Sequence, residues 1–538
     1  MTDFDNERDR YGSAGFIDAD DPALRPCFKK TPDSLFCGFV GNRPLYWNGM
    51  GGVLLTAGAR GGKLRDILAY SMLDGMYEGT LVMLDMKGEC AYISQNQTRL
   101  GKPCIYWNPL ALHGGSLPQH RINPVDYIHA DSPTLIADTK VFAENMIALS
   151  GSNNGEYFEL RGREFLEAVI LTIVDMDGAL TLPRLYEIIN LIPGNSEAWV
   201  EFAFQMNECG FEISRRIEEE IAESRHGESA GMRGILGEIF KSFSALSDPV
   251  LLDSISPPYD FSLSQLCEGS QAYNFYMMPP AEFIDGWRSV IKAIFVGAMI
   301  YKSRAPSAPR QTWILDECAQ LGSFPLVPKL FTYTAGIGIR PVAVYQSADQ
   351  MELTGRGAKT IIPSSAAVRI YFTIRDEEGS ARLSRMLGHQ TLEYDDTLTQ
   401  GRDDMARKEA IHAMLNGASP VETAHKLNHY RMAAKNRSKQ QRLLRTPDEI
   451  LKTPNDKAYV FMDDVPLPIY ADRRPYYKER SMAGRFHPNP YHPPIDRVRV
   501  KALIGYRWKN IINEPVPACF AHLPQYADGM WSYVEGFK

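Results

Sequence analysis

The sequence predicts an α/β protein in which one open sheet is interrupted by a large all-helical insertion. Three observations carry this. A strand-like run, Val53-Leu-Leu-Thr-Ala57, passes into a Gly-rich turn and a lysine. A second apolar run, Thr312-Trp-Ile-Leu, ends in the adjacent carboxylates Asp316 and Glu317. Finally, Lys63 and Asp316 lie 253 residues apart, with helical patterning over about 131 to 265 of that interval. In open α/β sheets the carboxyl ends of parallel strands are where ligands bind, so polar motifs at such ends are candidate site residues.

The Gly-rich turn comes first. Gly58-Ala59-Arg60-Gly61-Gly62-Lys63-Leu64 follows a buried-type strand and precedes a helical pattern, which is the architecture of a P-loop. Small residues let backbone N–H groups curl round a phosphate, the next helix presents its positive end, and Lys63 reaches the β- and γ-phosphates. Measured against G-x-x-x-x-G-K-[ST], Ala57 stands at the first glycine and Leu64 at the hydroxyl that would bind Mg²⁺ directly. Alanine is a mild change. Leucine removes a ligand and leaves the metal to Asp316, water and the nucleotide. Taken alone, the loop also reads as an ordinary strand-to-helix turn.

At the acidic strand, Asp316 is expected beside the metal–water shell, with Glu317, one residue on and pointing elsewhere, as general base toward the attacking water. Strands often end in charged residues, so this pair too has a plain reading by itself. Two further strand ends join it. Thr80-Leu-Val-Met-Leu runs into Asp85-Met-Lys87-Gly88-Glu89, and Arg340-Pro-Val-Ala-Val-Tyr345 ends at Gln346. Asp85 is expected to face the nucleotide, and Gln346 to orient water or sense the γ-phosphate. Four polar strand ends facing one crevice make a single site. A late strand, Ile370-Tyr-Phe-Thr-Ile, is flanked by Arg369 and Arg375. Arg375, at its C-terminal end, is the candidate arginine finger across a subunit interface; a surface strand charge is the plain alternative for either residue.

The insertion follows from spacing. A compact core of this kind needs only a few βα units between its two phosphate-handling motifs. In the interval, Phe142, Met146, Ile147 and Leu149 recur at near-helical spacing, Phe165 to Val174 reads as a largely buried helix, and Arg215 to Glu223 as a charged, exposed one. Strand patterning resumes at Gln271 to Pro279. A helical elaboration with only a packing role is the alternative to a substrate-contacting one.

Together the small-residue P-loop, Leu-Asp85-Met-Lys-Gly-Glu, Ile-Leu-Asp316-Glu followed by Leu-Gly, and Tyr-Gln346-Ser resemble the TraG/VirD type of type IV coupling protein. Asp376 to Gly388 resembles that family's helix after a late strand, and Leu444-Arg-Thr-Pro-Asp448-Glu449 its Leu-x-Thr-Pro-Asp-Glu segment. The resemblance spans roughly residues 38 to 480. It implies a RecA-like P-loop nucleotide-binding domain with an inserted all-α domain, ATP and Mg²⁺ as ligands, and a hexamer when active. It also implies that the chain recruits relaxase–DNA (relaxosome) or effector protein substrates to the components of a type IV secretion or conjugation channel. The expected division is an N-terminal extension at 1–37, nucleotide-binding parts at 38–130 and 266–490, the helical domain at 131–265, and a tail at 491–538. Two rival readings stand: a non-hydrolysing or weakly hydrolysing scaffold for secretion substrates, supported by Ala57 and Leu64, and a cytosolic FtsK/HerA-like DNA pump.

Composition bounds these readings. The chain has 538 residues, 44% hydrophobic and 23% charged, with a net charge of −7, so a diffuse basic surface is excluded and any nucleic-acid contact must be local. Its eight cysteines form no C-x-x-C pair and no His/Cys cluster, which argues against structural zinc and suits a reducing cytoplasm. Residues 1 to 50 are polar and broken by Gly, Pro and Asp, and the longest apolar runs, such as Ile294 to Ile300, fall short of the roughly 20 residues a span needs. The coupling-protein family usually carries N-terminal spans. The expectation here is a soluble chain, docked by partners at the cytoplasmic face of the inner membrane, a reading that the start at Met1 favours over loss of an anchor. Lys426, Arg431, Lys435, Arg437, Lys439, Arg442 and Arg445, with Tyr430 among them, read as a solvated basic linker or as a phosphate-holding strip. The aromatic tail from about 490 is expected to pack on the core or on a partner.

Overall fold

Burial on both faces is what the central strands are built for. In a computed structural model that describes residues 11–73, 78–95, 101–151, 153–192, 197–226, 230–394, 397–416, 419 and 438–538, the strands from Val53, Thr80, Cys104, Asn274, Gln311 and Ile339 are buried along their whole length. Their near-continuous apolar runs are the signature of parallel strands covered on both sides. In chain order the strands are β1 (Leu35–Val40), β2 (Arg43–Trp47), β3 (Val53–Ala57), β4 (Thr80–Leu84), β5 (Cys104–Trp107), β6 (Asn274–Met277), β7 (Gln311–Leu315) and β8 (Ile339–Tyr345). Then come β9 (Val368–Phe372), β10 (His389–Tyr394), β11 (Ser438–Leu443), β12 (Lys457–Met462), β13 (Ile469–Asp472), β14 (Arg497–Lys501), β15 (Tyr506–Pro515) and β16 (Met530–Val534).

Two units divide the chain. The larger comprises residues 19–373, 455–465 and 470–538. It holds the main sheet, in the order β2-β1-β13-β12-β9-β3-β8-β7-β4-β6-β5. From β9 to β5 the pairings are parallel, so those strands deliver their carboxyl ends to one edge. Register fixes which residues meet there. Leu84 pairs with Leu315, which sets Asp85 beside Asp316; Thr56 pairs with Tyr345, which sets Ala57 beside Gln346.

Short helices α1 (Ala69–Met72) and α2 (Glu89–Ile93) follow β3 and β4, and the long interval before β6 is helical: α3 (Leu135–Met146), α4 (Asn153–Asp177), α5 (Leu182–Leu191), α6 (Glu197–Glu208), α7 (Glu212–His226), α8 (Ala230–Phe243) and α9 (Pro249–Ser254). Central α4 packs against α3, α5, α6, α7 and α8, burying Phe165, Leu166, Val169, Ile170 and Ile173. Two periodicity readings shift. α3 stops at Met146, which leaves Leu149 beyond it and exposed, and α7 buries Ile217 and Ile221 beneath its charged face. One apolar core runs from these helices to the sheet, joined by α10 (Ile284–Arg304).

The tail forms its own antiparallel sheet, β14-β15-β16, with Leu523, Tyr526, Trp531 and Tyr533 buried together. It packs on the core. The Gln525 side chain accepts from the Cys104 N–H at 2.9 Å and donates to the Lys102 carbonyl at 3.1 Å, covering the start of edge strand β5.

The smaller unit comprises residues 1–18, 374–454 and 466–469. In it, α11 (Glu377–Leu387) is capped by Asp376, whose carboxylate accepts from Gly379 N–H, and the Pro447–Leu451 turn carries a capping box of Thr446 and Glu449. β10 and β11 pair antiparallel, so Lys439 and Arg442 belong to a strand where a linker was expected. Lys426, Tyr430, Arg431, Lys435 and Arg437 lie outside the described residues.

Candidate nucleotide site at the strand ends

The Gly-rich loop leaves β3 and folds back on itself, with Gly61 N–H donating to Gly58 O at 2.9 Å and Asp66 N–H to Gly62 O at 2.8 Å. Two glycines are sterically required. A Cβ on Gly58 would sit 2.4 Å from the Thr373 carbonyl, and Gly62 adopts φ +88°, in the left-handed region. Arg60 also has positive φ, 57°. After Lys63 the chain winds a π-type turn, Leu64–Leu68, before α1. Such turns recur at functional sites.

Lys63 lies where the strand-end carboxylates converge. Its Nζ stands 2.8 Å from Asp316 Oδ1 and 3.1 Å from Glu317 Oε1. Burial works against the ammonium, but Asp316 and then Glu317 outweigh it and hold Lys63 above its ordinary value. Burial likewise pushes the Asp316 carboxyl up, with Lys63 opposing. Asp316 Oδ1 is inaccessible to solvent and makes no well-aligned hydrogen bond, since the lysine contact is an ion pair of poor angle. A carboxylate oxygen in that condition suits a cation and its water shell. Among the described residues no three His, Cys, Asp or Glu form a ready-made cage. Mg²⁺ is usually held by one or two carboxylates, waters and substrate phosphates, and the Asp316 oxygen is a donor of that kind. Glu317 adopts φ 54°, which turns its side chain away from the course of β7.

Asp85 is buried beside Asp316, and its Oδ2 accepts from the Ala91 N–H at 2.8 Å, so its carboxylate caps α2. Burial is the main cause that pushes its carboxyl up to about 7, with the Ala91 bond opposing and Asp316 and Glu89 adding. Gln346, half-buried, stands just past β8, between the loop strand and the acidic strand, and its N–H is held by Gln350 Oε1 at 2.9 Å. Leu64 does not point into open solvent; it lines a cavity with Tyr476, Tyr477 and Phe486. Arg369 stacks on Phe461 with 5.2 Å to the ring centre. Arg375, exposed, belongs to the smaller unit.

Sequence reasoning missed the other side of the loop. Asp66, inside the π turn, is fully buried between Arg65, at 2.6 Å, and Arg473, at 2.9 Å. Arg473 also donates to the Gly61 carbonyl at 2.8 Å and to the carbonyls of Lys457 and Asn455. Its partner stands 407 residues away in sequence, so no local pattern marks the pair. The one available signal is an acid three residues after the loop lysine, next to Arg65 and ahead of the apolar Ile67-Leu68.

A parallel sheet with a P-loop-type turn, an acidic neighbour strand and a helical insertion defines the class: a mixed α/β, RecA-like nucleotide-binding fold carrying an all-α domain. The chain belongs to the type IV secretory system conjugative DNA transfer family, whose profile matches residues 6–493. It is therefore a type IV coupling protein, of the kind that delivers substrates for conjugative DNA transfer. Among solved structures it is similar to the bacterial conjugative coupling protein TrwBdeltaN70 in its unbound monoclinic form, with a TM-score of 0.57 and 16% identity over 84% of this chain and 90% of that one. It is also similar to the plasmid coupling protein TrwB in complex with ADP and Mg²⁺, with a TM-score of 0.57 and 15% identity over 86% of this chain and 93% of that one. No curated protein sequence matches. Among the described residues no helix is long and apolar enough to cross a membrane.

Proposed function

We propose that this coupling protein binds and hydrolyses ATP with Mg²⁺ at the β3, β4, β7 and β8 strand ends and uses that cycle to pass relaxase–DNA or effector protein substrates into a type IV secretion channel. The observation that carries this is Lys63 held between Asp316 and Glu317 directly above a loop of small residues. On nucleotide arrival Lys63 exchanges those carboxylates for β- and γ-phosphate oxygens, and the N–H groups from Gly58 to Leu64, Ala59 and Arg60 included, turn toward the phosphates. When bound, Mg²⁺ would supply neutralisation of the charge developing on the phosphates. Asp316 holds its water shell in place of the absent loop hydroxyl. Released from Lys63, Glu317 accepts the proton of the attacking water, which Gln346 orients. Asp85 fixes α2 and the spacing of the acidic strand ends. Arg375 reaches a neighbouring subunit's site in a hexameric ring. Attachment at the cytoplasmic face of the inner membrane comes through channel components.

The test is ATP turnover of the full chain with and without single- and double-stranded DNA, over a range of protein concentration. Turnover per subunit should rise with concentration as rings close, and Lys63→Ala should abolish nucleotide binding. Equal affinity for ATP in wild type and Lys63→Ala defeats the assignment, and concentration-independent turnover by a monomer removes the ring. A second reading is favoured by Leu64, whose side chain lines an aromatic cavity instead of supplying a hydroxyl. ATP that binds without being turned over, with or without DNA, would make the chain a nucleotide-dependent scaffold.

A further inference from the structure

A cavity of about 450 Å³ opens beside the first turn after the Gly-rich loop, with Leu64 and Arg65 in one wall. Its position follows from the loop's polarity. Lys63 reaches the outer phosphates beside Asp316, so the inner phosphate of a bound nucleotide lies at the start of the Leu64–Leu68 turn and whatever is attached to it leaves along that turn. The cavity opens beside that same turn. Its volume is within the range of small-ligand sites and suits a base with its ribose.

Its walls have the matching chemistry. Buried Tyr476 and exposed Tyr477 line it from the segment after β13, and exposed Trp508 of β15 lines it too. Trp508 is itself stacked by the Arg497 guanidinium, 5.2 Å from the ring centre. Glu89 also lines the cavity, held by a hydrogen bond from the Asn489 amide, and its carboxyl oxygens can accept from ribose hydroxyls. Arg499 adds positive charge to the lining. The β14–β15 wall lies beyond residue 493, where the family profile ends.

We propose that this cavity is the nucleoside subsite, with the base stacked on Tyr477 and Trp508, and that the C-terminal strands of this chain complete its nucleotide site. This rests on the nucleotide reading above. It also gives Leu64 a purpose: the side chain that costs a metal ligand supplies an apolar wall to the subsite.

The experiment compares ATP with inorganic tripolyphosphate, both with Mg²⁺, on the full chain. Wild type should bind ATP more tightly than tripolyphosphate, and ATP alone should quench Trp508 fluorescence, a signal identified by its loss in Trp508→Phe. Base–aromatic stacking is lost in Trp508→Ala, so ATP affinity should fall roughly tenfold while tripolyphosphate affinity holds. Arg499→Ala should behave the same way more weakly. Both side chains are at the surface of the tail sheet, so the fold survives their removal. Binding of neither ligand by wild type defeats the nucleotide reading itself. Equal affinity for the two ligands, or a Trp508→Ala loss that is absent or the same for both, defeats the subsite and leaves the phosphate loop standing.

Discussion

Arg473 and Lys63 each pair with carboxylates beside the Gly-rich loop, from opposite sides, and the two clusters are built differently. The Arg473 and Asp66 side chains are 0% and 1% exposed, and every direction of the guanidinium is used: Asp66, three backbone carbonyls and the Phe372 ring at 3.8 Å. Burial pulls Arg473 down to about 10, which still leaves it charged at neutral pH. Lys63, Asp316 and Glu317 are 19%, 21% and 27% exposed, and among the described residues the ammonium pairs with those two acids. A sealed pair cannot exchange partners without leaving a buried charge unpaired. A half-open one can trade carboxylate for phosphate at small cost. In the proposed nucleotide cycle the first cluster therefore holds the loop's shape and the second is the part that moves.

The largest expected effect tests the moving part. Glu317→Gln keeps the side chain's size and its contact with Lys63 but cannot take a proton, so turnover should fall about 10²- to 10⁴-fold while ATP binding persists. Single-turnover kinetics with a parallel binding titration reads both. Unchanged turnover would move the general base elsewhere. Next comes the clamp. Arg473→Ala should cost about 3–5 kcal/mol, seen as a lower denaturation midpoint, because Asp66 and the Gly61 carbonyl lose a buried partner. Lys63→Ala, in the half-open cluster, should cost roughly 1 kcal/mol or less. If the two substitutions prove equally destabilising, the division into clamp and moving part collapses.

How far each cluster was legible in the sequence follows the same division. The moving part sits at four strand ends, and each strand announces itself by a short apolar run with its motif attached, so Lys63, Asp85, Asp316, Glu317 and Gln346 could be named without knowing the strand order. Parallel pairing then brought them to one edge. The clamp depends on one pairing across 407 residues, and the strands that carry Arg473 toward the loop, β12 and β13, extend the sheet on the side away from β5. Nothing local in Lys457–Met462 or Ile469–Asp472 encodes that neighbour. The same holds for the tail, whose aromatic density foretold packing but not the Gln525 cap on β5. Helix ends were less legible than helix existence: α3 stops before Leu149 although the apolar spacing runs through it.

Asp85 gives a smaller, graded effect that depends on pH. Its carboxyl is raised in the fold to about 7 from an unfolded value near 4. Between those values the native state holds a proton that the unfolded chain has lost, so the contribution is full below about pH 4 and falls as pH rises, levelling off above about pH 7. Asp85→Asn mimics the protonated form and keeps an oxygen for the Ala91 N–H. It should flatten that slope and stabilise the nucleotide-free protein at pH 8 by at most about 4 kcal/mol, measured by denaturation across pH 4 to 8. A slope identical to wild type would mean that Asp85 is ionised throughout and that its burial is relieved by water.

The smallest expected effect concerns Leu64, the residue at which the loop departs from its pattern. Leu64→Ser places a hydroxyl where a direct Mg²⁺ ligand would stand, and it should lower the Mg²⁺ concentration needed for half-maximal nucleotide binding. The gain should be limited, because in the proposed site the buried Asp316 oxygen serves the metal's water shell and because the same substitution removes an apolar surface from the cavity lined by Tyr476 and Phe486. The two consequences separate by ligand. With tripolyphosphate only the metal term operates, so the Mg²⁺ requirement should fall; with ATP part of that gain is offset by the lost wall. A Mg²⁺ requirement unchanged for both ligands would show that the serine oxygen does not reach the metal, and that the half-open cluster of Lys63, Asp316 and Glu317 carries the cation's share of the site unaided.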